Sequence, residues 1–194
     1  MIVIFQRTGE RRYAVEAHRP GLPDVVMNPA PGYDRLVPHD MMHLVVEAQL
    51  GLKRGVFGQL AAGGDAGTFH VPMNSGESSR KLARVRKRVK GKGSKLLREG
   101  RDECARSERA TYICWYEWLA RSSSSDRKKL SQTIEKLARF GRETASDPEL
   151  QALSERKLDE ICKRLDDLSS HWSNLEVGQS IAVRWPDLAI VTRS

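Results

Sequence analysis

Residues 2–18, IVIFQRTGERRYAVEAH, decide the fold class of this chain. Two runs with strand character, residues 2–5 and 13–17, flank the turn-forming tripeptide Thr8-Gly9-Glu10. Short apolar or alternating runs on either side of a glycine-containing turn are typical of a β-hairpin. We therefore predict an antiparallel hairpin in this part of the chain.

Two further stretches extend the predicted sheet. Residues 25–27 predict a short third strand, and residues 28–32, which contain two prolines and a glycine, predict a loop. Residues 181–185 alternate in side-chain character before Pro186 stops the run. We expect this late strand to join the N-terminal hairpin.

Helical patterns fill the centre of the chain. One helix is predicted from Pro38 to Leu50, with Gly51 as a left-handed cap. A basic helix capped by Ser78 or Ser79 follows, and residues 91–93 (GKG) are expected to interrupt it. A further helix over residues 101–119 is expected to bury Tyr112, Trp115, Tyr116 and Leu119.

Two helices are predicted after the serine-rich linker at residues 122–125. The first spans residues 126–144, with Leu130, Ile134 and Leu137 on one face. The second follows the helix-start sequence at residues 146–149 (SDPE). It has an apolar seam at spacings of three and four, formed by Leu158, Ile161, Leu165, Leu168 and Trp172. The short turn between them favours an antiparallel helical hairpin.

Together these patterns predict a helix-rich α+β protein. A small antiparallel sheet is formed by the N-terminal hairpin and the C-terminal strand, and an antiparallel helical hairpin lies near the C-terminus. We treat residues 1–194 as one domain. Its parts are an α+β part (1–75), a basic segment (76–101), a helical part (102–175) and a returning strand (176–194).

Composition predicts a cytoplasmic protein that does not enter a membrane. The three cysteines, Cys104, Cys114 and Cys162, are odd in number and lack CxxC spacing, which favours reduced thiols. No apolar stretch approaches the roughly 20 residues of a membrane helix, and residues 2–5 lack the basic flank of a signal peptide.

The segment PHDMMHLVVE, residues 38–47, carries the most specific chemical pattern. On a helix, His39, Asp40, His43 and Glu47 fall within an arc of about 100°. Imidazoles at positions i and i+4 can converge on one metal ion. This pattern predicts a divalent-metal site, zinc or another divalent ion, with hydrolysis as the associated chemistry.

In this hypothesis His39, His43 and Glu47 are the metal ligands. Asp40 is the catalytic base or a residue that orients a ligand, and Asp65 or His70 would add a further ligand. The alternative is a solvated polar face of an amphipathic helix. Whether the protein is an enzyme stays open.

The HDxxH sequence at residues 39–43 resembles the zinc-ligand motif of a scaffold family of ubiquinone biosynthesis. That family places a further glutamate where this chain has Gly55, so the resemblance implies a role only for His39, Asp40 and His43. More broadly, the run from PGYD at residues 31–34 through PHDMMHLVVEAQLGL to AAGGDAGTF resembles a family of bacterial proteins, which implies membership but no activity.

A dense cationic stretch supports a second hypothesis. Between Arg80 and Arg101 there are eleven Lys or Arg residues and a single acid, Glu99, whereas the net charge of the whole chain is +8. Such a stretch can neutralise phosphates, so the protein is predicted to bind nucleic acid. The residues proposed for this contact are Arg84, Arg86, Lys87, Arg88 and Lys90.

Two alternatives remain for the helical part of the chain. The basic helix, which lacks aromatic residues for base stacking, could instead be solvated and pack on acids near residues 159–167, or contact an anionic membrane surface or another partner. The seam over residues 158–172 could also make the protein an interaction module or a homo-oligomer.

Overall fold

A five-stranded antiparallel sheet forms one side of the fold in the computed structural model, which describes residues 1–73, 78–121 and 132–191. The spatial order is β3-β2-β1-β4-β5. The strands are β1 (Ile2–Gly9), β2 (Arg12–His18), β3 (Val25–Ala30), β4 (Ser180–Arg184) and β5 (Ile190–Val191). The helix-rich α+β class is confirmed.

The predicted hairpin and its C-terminal partner strand both form. In the β1–β2 pair Phe5 lies opposite Val15, and on the other side of β1 Val3 lies opposite Val183 of β4. These four side chains are fully buried. Burial of the apolar faces of β1, β2 and β4 therefore fixes their register, because a slip of one residue would turn them to the opposite face.

The predicted loop at residues 28–32 is wrong in its first half, because β3 continues to Ala30. Pro29 is accommodated because β3 is the outermost strand and its pairing with β2 is irregular between Tyr13 and Val15. A proline lacks the N–H of a regular ladder and is tolerated at such positions. The two-residue strand β5 is an element that the sequence patterns do not predict.

The helices pack on the sheet and on one another. They are α1 (His39–Leu50), α2 (Val56–Ala61), α3 (Ser79–Glu99), α4 (Arg101–Arg121), α5 (Gln132–Thr144), α6 (Asp147–Ala152) and α7 (Glu155–Ser173). The predicted α1 is confirmed, but it begins one residue later than predicted, because Pro38 is its N-cap and not its first helical residue; Gly51 is its left-handed C-cap as predicted. α1 lies at the centre, in contact with α2, α4 and α7.

α3 contradicts the expected interruption at residues 91–93, since the helix runs without a break from Ser79 to Glu99. Gly93 is buried against the glycine-rich segment, where a Cβ atom would lie 1.9 Å from Oδ1 of Asp65. The absence of a side chain therefore permits close packing and does not break the helix. Tertiary contact outweighs the weak helix propensity of glycine.

The late helices are arranged differently from the predicted hairpin of residues 126–144 and 147–172. α5 packs mainly on α4, whereas α7 packs on α1 and α4. The capping box at Ser146 and Glu149 forms as predicted, but it opens only the short α6. The linker at residues 122–125 and the predicted helix start with Leu130 lie outside the described residues.

The seam of α7 is buried inside the chain. Leu158, Ile161, Leu165, Leu168 and Trp172 are all at most 3% exposed. This seam is therefore occupied by the chain itself and gives no support to self-association through it. No helix within residues 1–73, 78–121 and 132–191 is long and apolar enough to cross a bilayer.

The two glycines of α3 allow a matched test of this packing. We expect Gly91→Ala to raise the free energy of unfolding by about 1 kcal/mol, because a Cβ there meets open space and alanine favours a helix. Gly93→Ala should lower it, since overlap with Asp65 costs about 1–3 kcal/mol and exceeds that gain. Urea unfolding of both variants measures the difference, and equal stabilisation would contradict the packing described.

Candidate metal centre

Two histidines of α1 and one glutamate of α4 converge at the surface. His39 and His43 lie one turn apart, and the packing of α4 on α1 brings Glu108 beside them. One ligand atom from each of the three residues lies within 4.8 Å of the others. They form a group that could hold a metal ion.

The group opens to solvent on the side of Glu108. The side chain of Glu108 is 49% exposed, whereas that of His43 is only 3% exposed. Ligand atoms bound to one zinc ion at roughly 2.0–2.2 Å lie closer together than 4.8 Å, so small side-chain rotations would be needed. The exposed Glu108 has the freedom to make them.

A buried hydrogen-bond chain orients His43. The hydroxyl of Ser107 donates to Oε1 of Glu47 at 2.8 Å, and the Ser107 oxygen lies 2.9 Å from Nδ1 of His43. A hydroxyl has one hydrogen, so the Ser107 oxygen accepts from Nδ1–H of His43. Thr111 also lies 3.3 Å from Nδ1. The opposite nitrogen, Nε2, therefore faces Glu108 with its lone pair in the neutral tautomer.

Glu47 has a different position from the one predicted for a ligand. Its carboxylate accepts the backbone N–H groups of Val56 and Phe57, the first residues of α2, at 2.8 and 2.9 Å. It lies beside Nδ1 of His43, 3.9 Å away, and not among the converging atoms. Burial raises the pKa of Glu47, although its hydrogen bonds oppose that effect.

Asp40 lies against the sheet and not beside Glu108. Its carboxyl group is hydrogen-bonded to the hydroxyl of Tyr13 on β2, and the oxygen of that hydroxyl also lies 2.5 Å from the carbonyl oxygen of Pro31. Burial raises the pKa of Asp40 despite the Tyr13 contact. Asp40, the predicted base, thus joins α1 to the sheet and is 9% exposed.

The two imidazoles have opposite protonation behaviour. Burial and the neighbouring His43 lower the pKa of His39 to about 4, so His39 is neutral at pH 7. Burial also opposes a charge on His43, but Glu108, Glu47 and Asp40 outweigh it and raise the pKa of His43. The His43 imidazole in turn lowers the pKa of Glu108. A metal ion would therefore compete with a proton at Nε2 of His43, and its binding would strengthen as the pH rises.

The N-terminal turn of α1 is enclosed by aromatic rings and a glycine. The ring of His39 lies 4.6 Å from that of His43, 6.4 Å from Tyr112 and 6.1 Å from Trp115. Gly32 has φ +73°, and a Cβ there would lie 2.7 Å from Cβ of His39. The absence of a side chain at Gly32 therefore permits the loop before α1 to pack closely against His39.

The other predicted site residues lie elsewhere. Asp65 contacts Gly93 of α3, and His70 forms a bridge with Val26 of β3. The five predicted nucleic-acid contacts, Arg84, Arg86, Lys87, Arg88 and Lys90, are all exposed on α3. Arg86 differs from the other four because its guanidinium donates to the Val71 carbonyl at 2.9 and 3.1 Å.

Sequence reasoning missed Ser107, Glu108 and Thr111. In the sequence RDECARSERATYICW they resemble ordinary polar positions of a helix, whereas the aromatic residues beside them predict the buried face. The expected burial of Tyr112, Trp115 and Tyr116 is only partial, because Ser107 and Thr111 occupy part of the buried face. A polar pair at i and i+4 on the apolar side of α4 is the signal that could have found them.

The Ser107 bridge has a measurable energetic consequence. We expect Ser107→Ala to lower the free energy of unfolding by about 1–3 kcal/mol, because Glu47 and Nδ1 of His43 each lose a buried partner. Ser94→Ala, at an exposed position of α3, is the control and should leave stability unchanged within about 0.5 kcal/mol. Equal stability of the two variants in urea would show that the bridge contributes nothing.

Comparison of the chain with protein-family models, with curated proteins and with solved structures found no match. The function must therefore be inferred from the geometry and chemistry of the residues themselves.

Proposed function

We propose that this protein binds a divalent metal ion, with zinc preferred, through His39, His43 and Glu108. The observation that carries the proposal is the convergence of their ligand atoms within 4.8 Å. Two imidazoles and one carboxylate are a ligand set of catalytic zinc sites, which keep a fourth position open. Structural zinc sites are usually closed by four protein ligands.

The buried neighbours of His43 support this assignment. Histidines that bind metals usually donate their second ring N–H to an acceptor that fixes the tautomer. Here Ser107 accepts that hydrogen and is itself anchored by Glu47. In the proposed site, Glu47 is thus a supporting residue and Glu108 replaces it as a ligand.

The open side of the site favours hydrolysis as the associated activity. A bound zinc ion acts as a Lewis acid and lowers the pKa of bound water to about 7. Tyr112 stands beside the group, and burial together with Glu108 raises the pKa of its hydroxyl. The phenol therefore remains a hydrogen-bond donor at neutral pH, suited to stabilising developing negative charge on a substrate oxygen.

Metal analysis of tag-free protein tests the proposed ligand set. We expect one zinc per chain, and His39→Ala, His43→Ala or Glu108→Ala should each weaken zinc affinity by more than the roughly 10–100-fold that loss of a residue orienting a ligand costs, because each removes a ligand itself. His171→Ala, which removes an exposed histidine of α7, is the control and should change nothing. Zinc that survives the double variant His39→Ala/His43→Ala would refute the site.

Two further measurements separate the ligand assignment from the activity. Glu47→Gln should weaken zinc binding less than Glu108→Ala. The reverse order would indicate that Glu47, and not Glu108, is the third ligand. Hydrolysis of p-nitrophenyl acetate and of bis-p-nitrophenyl phosphate should be zinc-dependent and reduced by Tyr112→Phe. If zinc binds stoichiometrically but neither compound is hydrolysed faster than by free zinc, metal binding stands without these hydrolytic activities.

Nucleic-acid binding through α3 is the second candidate function. Arg84, Lys87, Arg88 and Lys90 are exposed, and the described residues give none of them a hydrogen-bond or ion-pair partner. Unpaired cations on one helix can replace counterions along a phosphate backbone. Because the segment has no aromatic residue, we propose contact with the backbone and not with the bases.

The salt dependence of oligonucleotide binding tests this second function. Replacing Arg84, Lys87, Arg88 and Lys90 with alanine should reduce the slope of log K against log salt by roughly 3, since each phosphate contact contributes about 0.7–0.9. The control removes four exposed cations of α5 and α7: Lys136, Arg139, Lys163 and Arg164. An equal loss in both variants would assign binding to net charge and not to α3.

A further inference from the structure

A cavity of about 340 Å³ lies beside α3, between this helix and the segments that contain residues 21–23 and Gly63. It is lined by residues 21–23, by Gly63, and by Arg88, Val89 and Lys92 of α3. Its volume falls in the range of small-ligand pockets, roughly 300–1,000 Å³. We call it the Arg88–Lys92 cavity.

The walls of this cavity are held by a buried arginine. Arg19 is 3% exposed, and its guanidinium donates to three backbone carbonyls. The acceptors are Pro23, Leu60 at 3.0 Å and Gly64 at 2.6 Å. Pro23 belongs to one wall, and Leu60 and Gly64 flank Gly63 of the other. Because one side chain fixes both walls, the cavity is formed before any ligand binds.

Its charged lining is entirely positive. Arg88 and Lys92 are one helical turn apart and lie on the same side of α3. Among the described residues, no carboxylate lines the cavity, and neither cation has a side-chain hydrogen-bond or ion-pair partner. The ammonium of Lys92 lies over Gly63, 3.3 Å from the position that a Cβ would occupy.

A neighbouring cavity shows what distinguishes this one. On the other side of Val89, a cavity of about 290 Å³ also contains a cationic pair, Arg86 and Lys90. Asp65 lines it, and Arg86 already donates to the Val71 carbonyl. Its positive charge is thus partly compensated, whereas that of the Arg88–Lys92 cavity is not.

We infer that the Arg88–Lys92 cavity binds a phosphate group. The guanidinium of Arg88 offers several N–H donors in a planar fork, and Lys92 adds a point charge, which together suit a phosphate. Leu22, Pro23 and Val89 supply an apolar surface for the organic part of a phosphorylated molecule. The phosphate could come from a polynucleotide backbone or from a small phosphorylated metabolite, since both present the same group.

This site is separate from the metal centre and goes beyond general attraction of nucleic acid to α3. It assigns phosphate binding in a cavity to Arg88 and Lys92. Lys92 is not among the residues proposed for the backbone contact. Arg88 belongs to both proposals, whereas Lys92 belongs only to the cavity, and Arg84 and Lys87 belong only to the proposed backbone contact. Pyrophosphate binding therefore tests the cavity with a different ligand from the one used in the salt-dependence test.

Calorimetric titration with inorganic pyrophosphate is the first test. We expect millimolar or tighter binding to the full chain and a loss of roughly tenfold or more in Arg88→Ala/Lys92→Ala, because two charge-assisted contacts disappear. The matched control Arg80→Ala/Arg98→Ala removes two exposed charges of the same helix outside both cavities and should change affinity less than twofold. Absence of binding, or equal losses in both variants, overturns the inference.

Site-specific lysine acetylation read by mass spectrometry locates the ligand without a substitution. Pyrophosphate should protect Lys92 and leave Lys87, which lines neither cavity, as reactive as before. Equal protection of both lysines would mean diffuse charge attraction and would also overturn the site. A short oligonucleotide that protects Lys92 identifies the backbone as a source of the phosphate, whereas protection by pyrophosphate alone points to a small phosphorylated molecule.

Discussion

A carboxyl group and an imidazole enclosed between α1 and α4 constrain how the two helices pack. Glu47 and His43 are almost without solvent contact, and a buried polar group that lacks a partner costs about 1–3 kcal/mol. Ser107 is the residue of α4 whose hydroxyl reaches both. A shift of α4 by one turn would break both contacts, so this bridge selects one register.

The same register places the surface group. Glu108 follows Ser107 in the chain, and its side chain leaves α4 toward the outer edge of the α1–α4 interface. No interaction other than this helix packing is therefore needed to bring Glu108 beside His39 and His43. Stability and the proposed chemistry share one cause, the buried contact of Ser107.

Sequence patterns predicted correctly those features that depend on the residues of a single helix or strand. The apolar runs of β1 and β2, the limits of α1 and the burial of the α7 seam all follow from local periodicity. Glu108, which joins His39 and His43 at the candidate site, could not be found in this way. A helical wheel places Glu47 with the histidines, but it contains no information about α4, which lies some sixty residues further along the chain.

Two other differences between the predicted and the observed structure also arise from contacts with distant parts of the chain. The stretch from Asp40 to Glu47 reads as amphipathic, yet all eight of its side chains are buried, with Asp40 against Tyr13 and Glu47 against the first residues of α2. Gly93 reads as a helix breaker, yet its missing side chain is what admits Asp65. In each case a distant partner, and not a local preference, determines what the residue does.

The position of β1 in the middle of the sheet has a consequence for synthesis on the ribosome. β2 follows β1 at once and can pair with it early, whereas β4 cannot be added before residues 180–184 have left the exit tunnel. Until then the nascent chain carries an apolar strand with one open edge, a surface prone to wrong pairing. Closure of the sheet is thus a late event that requires nearly all of the described chain to have been translated.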